Sequence, residues 1–181
     1  IKLVSYGFTE GFYSKPRIDD ELLEKYHEGL ICLSACLAGE IPQKLLDGDY
    51  NAAKTKAEYY RDLFGKDNFF IELQDHGIEE QQRIIPNLVR IADEIGVDIV
   101  ATNDSHYIEK EDSKTHNILL CIQTSRTIND NDRMEFQTNE FYLKTEEEMR
   151  ELFPKYPQAI ENTQKIADRC NVEFEFGVRK L

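Results

Sequence analysis

Three times along this chain a helical pattern runs into a glycine, a short apolar run follows, and a polar cluster closes the unit. This recurrence constrains the fold more than any other feature. An apolar run without polar alternation reads as a strand buried on both faces, and strands linked through helices come out parallel. In the first unit Asp19 or Asp20 can cap a helix through Leu22, Leu23 and Tyr26. Gly29 stops it, and Leu30-Ile31-Cys32-Leu33 delivers Ser34-Ala35-Cys36. The second has Asp49 as N-cap, Ala53, Ala57, Tyr60 and Phe64 at helical spacing, and Gly65 as stop. Its strand Phe69–Leu73 delivers Gln74-Asp75-His76-Gly77. The third carries Ile84, Leu88, Ile91, Ala92 and Ile95 on one face. Pro86 predicts either a kink or two short helices, and Val97–Ala101 delivers Thr102-Asn103-Asp104-Ser105-His106-Tyr107. The expected fold is α/β with parallel strands. Polar clusters that follow the C-terminal ends of such strands converge on the edge where sites are built.

Beyond Tyr107 the plan changes. Residues 111–124 read as a helix with Ile118, Leu119 and Ile122 apolar, and Asn129–Asp132 as a turn-prone loop. Phe141-Tyr142-Leu143 reads as a short strand, and Thr145 to Glu148 as a capping box opening a helix to Phe153. Ile160, Thr163, Ile166, Ala167 and Cys170 mark a further helix, and Val172–Phe176 alternates like an edge strand.

The net charge is −13, from 35 acidic and 22 basic residues in 181. Such a surface repels phosphate backbones, so this stretch is not expected to be a DNA grip. No apolar run reaches a membrane-spanning length and no secretory signal opens the chain. Its acidic, lysine-rich composition reads as cytoplasmic. Cys32, Cys36, Cys121 and Cys170 match no zinc-ribbon spacing and are not expected to form disulfides. Cys121 and Cys170 lie in apolar helical patterns and read as core. The opening Ile1-Lys2-Leu3, without Met, reads as a processed end or an excised piece.

Asp104 and His106 stand two apart, and in an extended segment such residues point the same way. A carboxylate beside an imidazole suits Zn²⁺, Mn²⁺ or Fe, which accept mixed oxygen and nitrogen donors. A capping Asp beside a partly buried, backbone-bonded His gives the same pattern. Cys36 lies among Ser34, Ala35, Ala38 and Gly39, small residues that permit close approach. Its thiolate could ligate zinc, or the thiol is buried and inert. Cys32, inside the strand, reads as core. His76 and Asn103 are candidates to stand behind metal ligands and orient them, or to be structural. His27 and His116 have no partners legible in sequence. No G-x-S-x-G, P-loop or G-x-G-x-x-G occurs, nor an aspartate pair assignable to two-metal nucleotidyl transfer. Tyr6, Phe8, Phe12 and Tyr13, beside Lys15 and Arg17, could stack on single-stranded bases, but packing of a terminal arm is the expectation.

Taken in order, Tyr6–Asp19, Leu33–Glu40, Ile71–Gly77, Ala101–Tyr107, Phe141–Lys144, Glu161–Thr163 and Ile166–Val172 resemble the polymerase-and-histidinol-phosphatase (PHP) domain of bacterial DNA polymerase III alpha subunits. The likeness runs from Leu3 to Leu181. It implies an incomplete PHP-type distorted (β/α)7 barrel with parallel strands, plus a helical C-terminal extension. Residues 1–177 would be the C-terminal portion of that domain with its extension, and 178–181 the start of the connection to the polymerase palm. Cys36, Asp104 and His106 match positions of metal ligands. The complete domain is thereby implied to hold a divalent metal cluster (Zn, Mn or Fe) supporting 3′–5′ exonuclease proofreading, a phosphodiester hydrolysis. The implied parent is a DNA-directed DNA polymerase, a nucleotidyltransferase of DNA replication. Its partners would be the rest of the alpha subunit, other replicase subunits, and DNA reached through the parent.

The family's opening strand with its H-x-H motif and further ligands has no counterpart here, so the chain alone is expected to be inactive. The competing reading is a non-catalytic scaffold that docks other subunits. Strand edges left unpaired in an incomplete barrel predict a homo-oligomer of the isolated chain.

Overall fold

A computed structural model describes residues 1–173 and 175–177. The chain opens with α1 (Lys2–Thr9) and an antiparallel hairpin of β1 (Phe12–Tyr13) and β2 (Lys15–Pro16), turned through Ser14 at φ +59°. The packed aromatic arm expected from sequence forms only in part: Tyr6 is half-buried and stacks on Tyr26, with centroids 5.4 Å apart, while the rest of the arm stays open. Phe8 and Phe12 are exposed and Tyr13 is 80 % exposed. A two-residue ladder offers no face to pack on, and α1 buries only Gly7.

Helix α2 (Asp20–Tyr26) begins where Asp19 accepts the Leu22 N–H at 3.0 Å. Strand β3 (Cys32–Leu33) is half the length of the apolar run that announces it and only half-buried, with Leu30 left exposed. It lies at the edge of its sheet, where one side lacks a neighbour among the described residues. No sequence signal announced α3 (Glu40–Leu46), whose first turn holds Pro42, a place where the missing N–H breaks no helical bond. It packs on α4 (Tyr50–Phe64), which Asp49 caps by accepting the Ala52 N–H at 2.9 Å. Gly65, at φ +86°, ends α4 while its N–H returns to the Arg61 carbonyl.

Strand β4 (Phe69–Leu73) is buried along its whole length, as a two-sided strand should be. Helix α5 (Glu79–Ile95) runs unbroken through Pro86, whose ring lies on the exposed side, so the two short helices do not form. Then come β5 (Ile99–Ala101), a 3₁₀ turn at Lys110–Asp112, α6 (Ser113–Gln123), α7 (Glu146–Leu152) and α8 (Pro157–Arg169). The capping box at α7 forms in full, with Thr145 Oγ1 accepting the Glu148 N–H and Glu148 Oε2 accepting the Thr145 N–H.

The parallel sheet has the order β3-β4-β5, with Cys32 opposite Phe69 and Leu33 opposite Phe70. Phe141–Leu143 contributes one parallel bridge, Tyr107 to Tyr142, and no strand. At Val172–Phe176 the described residues carry no strand, and Phe174 lies outside them. The expected connection at 178–181 also lies outside the described residues. The described residues are therefore mixed α/β with a small parallel sheet, and no helix among them is long and apolar enough to cross a membrane.

Two compact units result, Ile1–Glu72 with Ile84–Asp98, and Leu73–Arg83 with Ile99–Leu181. The first buries Ile41, Ala53, Ala57, Phe69, Ile71 and Ile91. The second buries Leu73, Val100, Phe141, Ala159 and Ile160 together with the polar side chains of His76, Gln81, Lys144 and Asn162. The Asn162 amide donates to the Ile99 carbonyl at 2.9 Å, satisfying the free side of β5.

Candidate functional site

In the second unit the ends of β4 and β5 each release a polar cluster. The Thr102 N–H donates to the Leu73 carbonyl at 3.0 Å, and the Gln74 amide reaches Thr102 Oγ1 at 3.0 Å. His76 is 1 % exposed. Its ring lies flat on Phe141, with centroids 4.5 Å apart and planes 4° apart. Its main chain is held at both ends, the N–H donating to Gln81 Oε1 at 2.7 Å and the carbonyl accepting from Thr138 Oγ1 at 2.6 Å. Nε2 of the ring accepts the Asp104 N–H at 3.1 Å, while Nδ1 faces the Gln81 amide at 3.1 Å. Burial, then the charge of Lys144, lowers the His76 pKa and favours the neutral ring. His76 thus fixes the main chain at Asp104.

The D-x-H pair forms a corner. His106 Nδ1 lies 3.1 Å from the main-chain oxygen of Asp104 and 3.6 Å from its Oδ1. A neutral ring that donates through Nδ1 carries its lone pair on Nε2, the form that ligates a metal. The His106 N–H donates to the Phe141 carbonyl at 2.8 Å, and the ring meets the edges of Phe136, Phe141 and His116. Asn103 ties the segment down by donating to the Tyr142 carbonyl at 2.6 Å and to Ser105 Oγ at 3.0 Å. Phe136, Phe141, Gln81 and Thr138 build this corner, and sequence reading singled out none of them for it. Phe141 was legible only as a strand residue, and the others carry no local signal.

Cys36 belongs to the first unit, in the turn after β3. There Ser34 Oγ accepts the Glu72 N–H at 2.8 Å, and the Glu72 carboxylate accepts the Ala35 N–H at 2.9 Å. Ala35 sits at φ +67°, and a Cβ at Gly39 would stand 2.7 Å from the Ser34 carbonyl, so the turn closes only around a glycine. The Cys36 thiol is half-buried. For Cys32, burial first and the charge of Glu72 second push the thiol pKa up to about 11, which makes it inert. Cys121 is core as expected. Cys170 is not, because it follows the last turn of α8 and is exposed.

Asp104 and His106 are brought together in one unit, while Cys36 lies in the other. Among the described residues no three or more His, Cys, Asp or Glu side chains are grouped so as to hold a metal ion. A carboxylate and an imidazole suit one edge of a mixed oxygen–nitrogen sphere, but protein zinc sites take three or four such ligands. The residues described therefore do not fit a metal on their own.

The PHP domain family matches residues 1–76, a stretch that includes Cys36 and His76. Relatives cover nearly the whole chain. The DNA polymerase III subunit alpha of Treponema pallidum is 52 % identical over 95 % of this chain and 15 % of its own length. Those of Borreliella burgdorferi and Deinococcus radiodurans are each 46 % identical, over 94 % and 99 % of this chain and 15 % and 14 % of theirs. This chain spans about 15 % of the length of the relatives it matches, and it belongs to the PHP-domain region of the bacterial DNA polymerase III alpha subunit family.

Proposed function

We propose that this chain serves DNA replication as the PHP portion of a cytoplasmic DNA polymerase III alpha subunit. Residues 1–177 would be the C-terminal part of that domain with its extension. The observation that carries the reading is the 52 % identity maintained over 95 % of the chain to a subunit of that name. In the same proposal Asp104 and His106 of one unit, and Cys36 of the other, are donors to divalent metal (Zn, Mn or Fe), with ligands elsewhere in the subunit completing the coordination. Such a centre would supply Lewis-acid chemistry for 3′–5′ phosphodiester hydrolysis. No hydrolytic step is assigned to the chain by itself, since among the described residues neither unit alone groups enough donors to hold an ion. What its own residues contribute is placement, with His76 fixing the Asp104 main chain and the Asp104 carbonyl orienting the His106 ring.

The test is Asp104→Asn in the full-length subunit. Exonuclease activity and metal content should fall about 10- to 100-fold while primer extension persists. If both are unchanged, the second reading stands, a scaffold that docks other replicase subunits. The net charge of −13 favours that reading, since it suits protein partners better than phosphate.

A further inference from the structure

Helix α6, like the shorter α1, is poor in charge. Of its residues Ser113–Gln123 only Lys114 carries a formal charge, in a sequence that is 31 % charged. It buries Leu120 and Cys121, yet Ile118, Leu119 and Ile122 are exposed, Ile122 by 71 %. Ile108, Ile128 and Met134, nearby in sequence, are exposed as well. A surface helix normally offers water a charged face, and an apolar, charge-poor face marks a contact surface.

We propose that the outer face of α6, centred on Ile118, Leu119 and Ile122, is a permanent interface covered by the remainder of the same alpha subunit. This rests on the reading of the chain as part of that subunit. Two observations select the occupant. The chain spans about 15 % of its relatives' length, so most of such a subunit lies beyond it, tethered and at high effective concentration. The face also has the composition of a permanent interface, which resembles a core cut in half. Contacts that form and dissolve keep more polar surface, because each side must also stand alone in water.

Thiol accessibility in the full-length subunit tests this. Ile122→Cys, and Ile118→Cys as a second site, are reacted with a water-soluble maleimide and read peptide by peptide by mass spectrometry. Labelling in the native subunit should be at least about tenfold slower than in denaturant, since a covered thiol reacts only on opening. In the 181-residue chain it should approach the denatured rate. Hydrogen exchange of the 113–123 peptide in the unsubstituted subunit should show the same protection, should either cysteine variant fail to fold. Free labelling in the native subunit overturns the proposal. So does protection that needs other replicase subunits, or that grows with concentration as a second copy would require. Primer extension by the same unsubstituted preparation separates the two claims: its absence strikes the polymerase reading, while extension with free labelling strikes only the interface.

Discussion

The turn after β3 and the segment after β5 do the same job by different means. Each follows the C-terminal end of a parallel strand and presents a candidate ligand. The first turn, around Cys36, closes on main chain. The Glu72 carboxylate accepts the Ala35 N–H, Ser34 Oγ accepts the Glu72 N–H in return, and Gly39 lets two stretches of backbone pass at a distance no Cβ allows. The second, around Asp104 and His106, closes on side chains, with a buried imidazole beneath it, a phenyl ring against that imidazole, and an asparagine tying it to the Tyr142 carbonyl. A turn closed by backbone tolerates side-chain change except where the approach is tightest. A segment closed by side chains depends on each of them.

Four measurements break or sharpen this contrast. His76→Ala should have the largest effect, because it empties a fully buried site beneath Phe141 and strands the Asp104 N–H. A loss of about 3–5 kcal/mol is expected from the cavity and the lost bond, read by denaturant unfolding. A loss under about 1 kcal/mol would mean that the segment is held by main chain after all. Gly39→Ala comes next, at about 1–3 kcal/mol, because the new methyl meets the Ser34 carbonyl at 2.7 Å and the backbone must move. Its φ of −69° is ordinary, so the cost is steric and not conformational. Ser34→Ala meets no steric barrier but strands the buried Glu72 N–H, and should cost about 1–2 kcal/mol.

The smallest effect is one of pH. The His76 pKa is lowered in the folded chain from its ordinary 6.5, chiefly by burial. Its contribution is therefore fully present above about pH 6.5 and declines as the pH falls below it, because the unfolded chain then binds the proton more readily. The thermal midpoint should fall between about pH 7.5 and 5.5, and the fall should shrink in His76→Gln. An equal fall in both proteins would assign the pH response to other groups.

Much of this was legible in the sequence wherever the signal is local. Asp19, Asp49 and the Thr145–Glu148 box announce helix starts because each bonds a main-chain N–H within its own first turn. The glycine after α4 announces a stop because only a residue without a Cβ takes φ +86° freely. The run Phe69–Leu73 reads as a two-sided buried strand and is one. The D-x-H pair was legible as a pair. Its support was not, since Phe141 and Thr138 lie more than sixty residues from His76 and no spacing rule joins them. For α3, a glycine in place of a capping side chain and a proline in the first turn masked the helix start.

By itself, then, the sequence determined where α2, α4 and α7 begin, where α4 ends, which run is a central strand, and which residues carry metal-type donors. These follow from bonds that a residue makes within four positions of itself. The tertiary structure alone decided that β3 shrinks to a two-residue edge, that Cys170 faces out, and that α6 turns Leu120 and Cys121 inward while Ile118, Leu119 and Ile122 stay exposed. In a helix apolar on two sides, composition cannot choose the buried face. That choice belongs to whatever packs against it, and those partners come from distant parts of the chain.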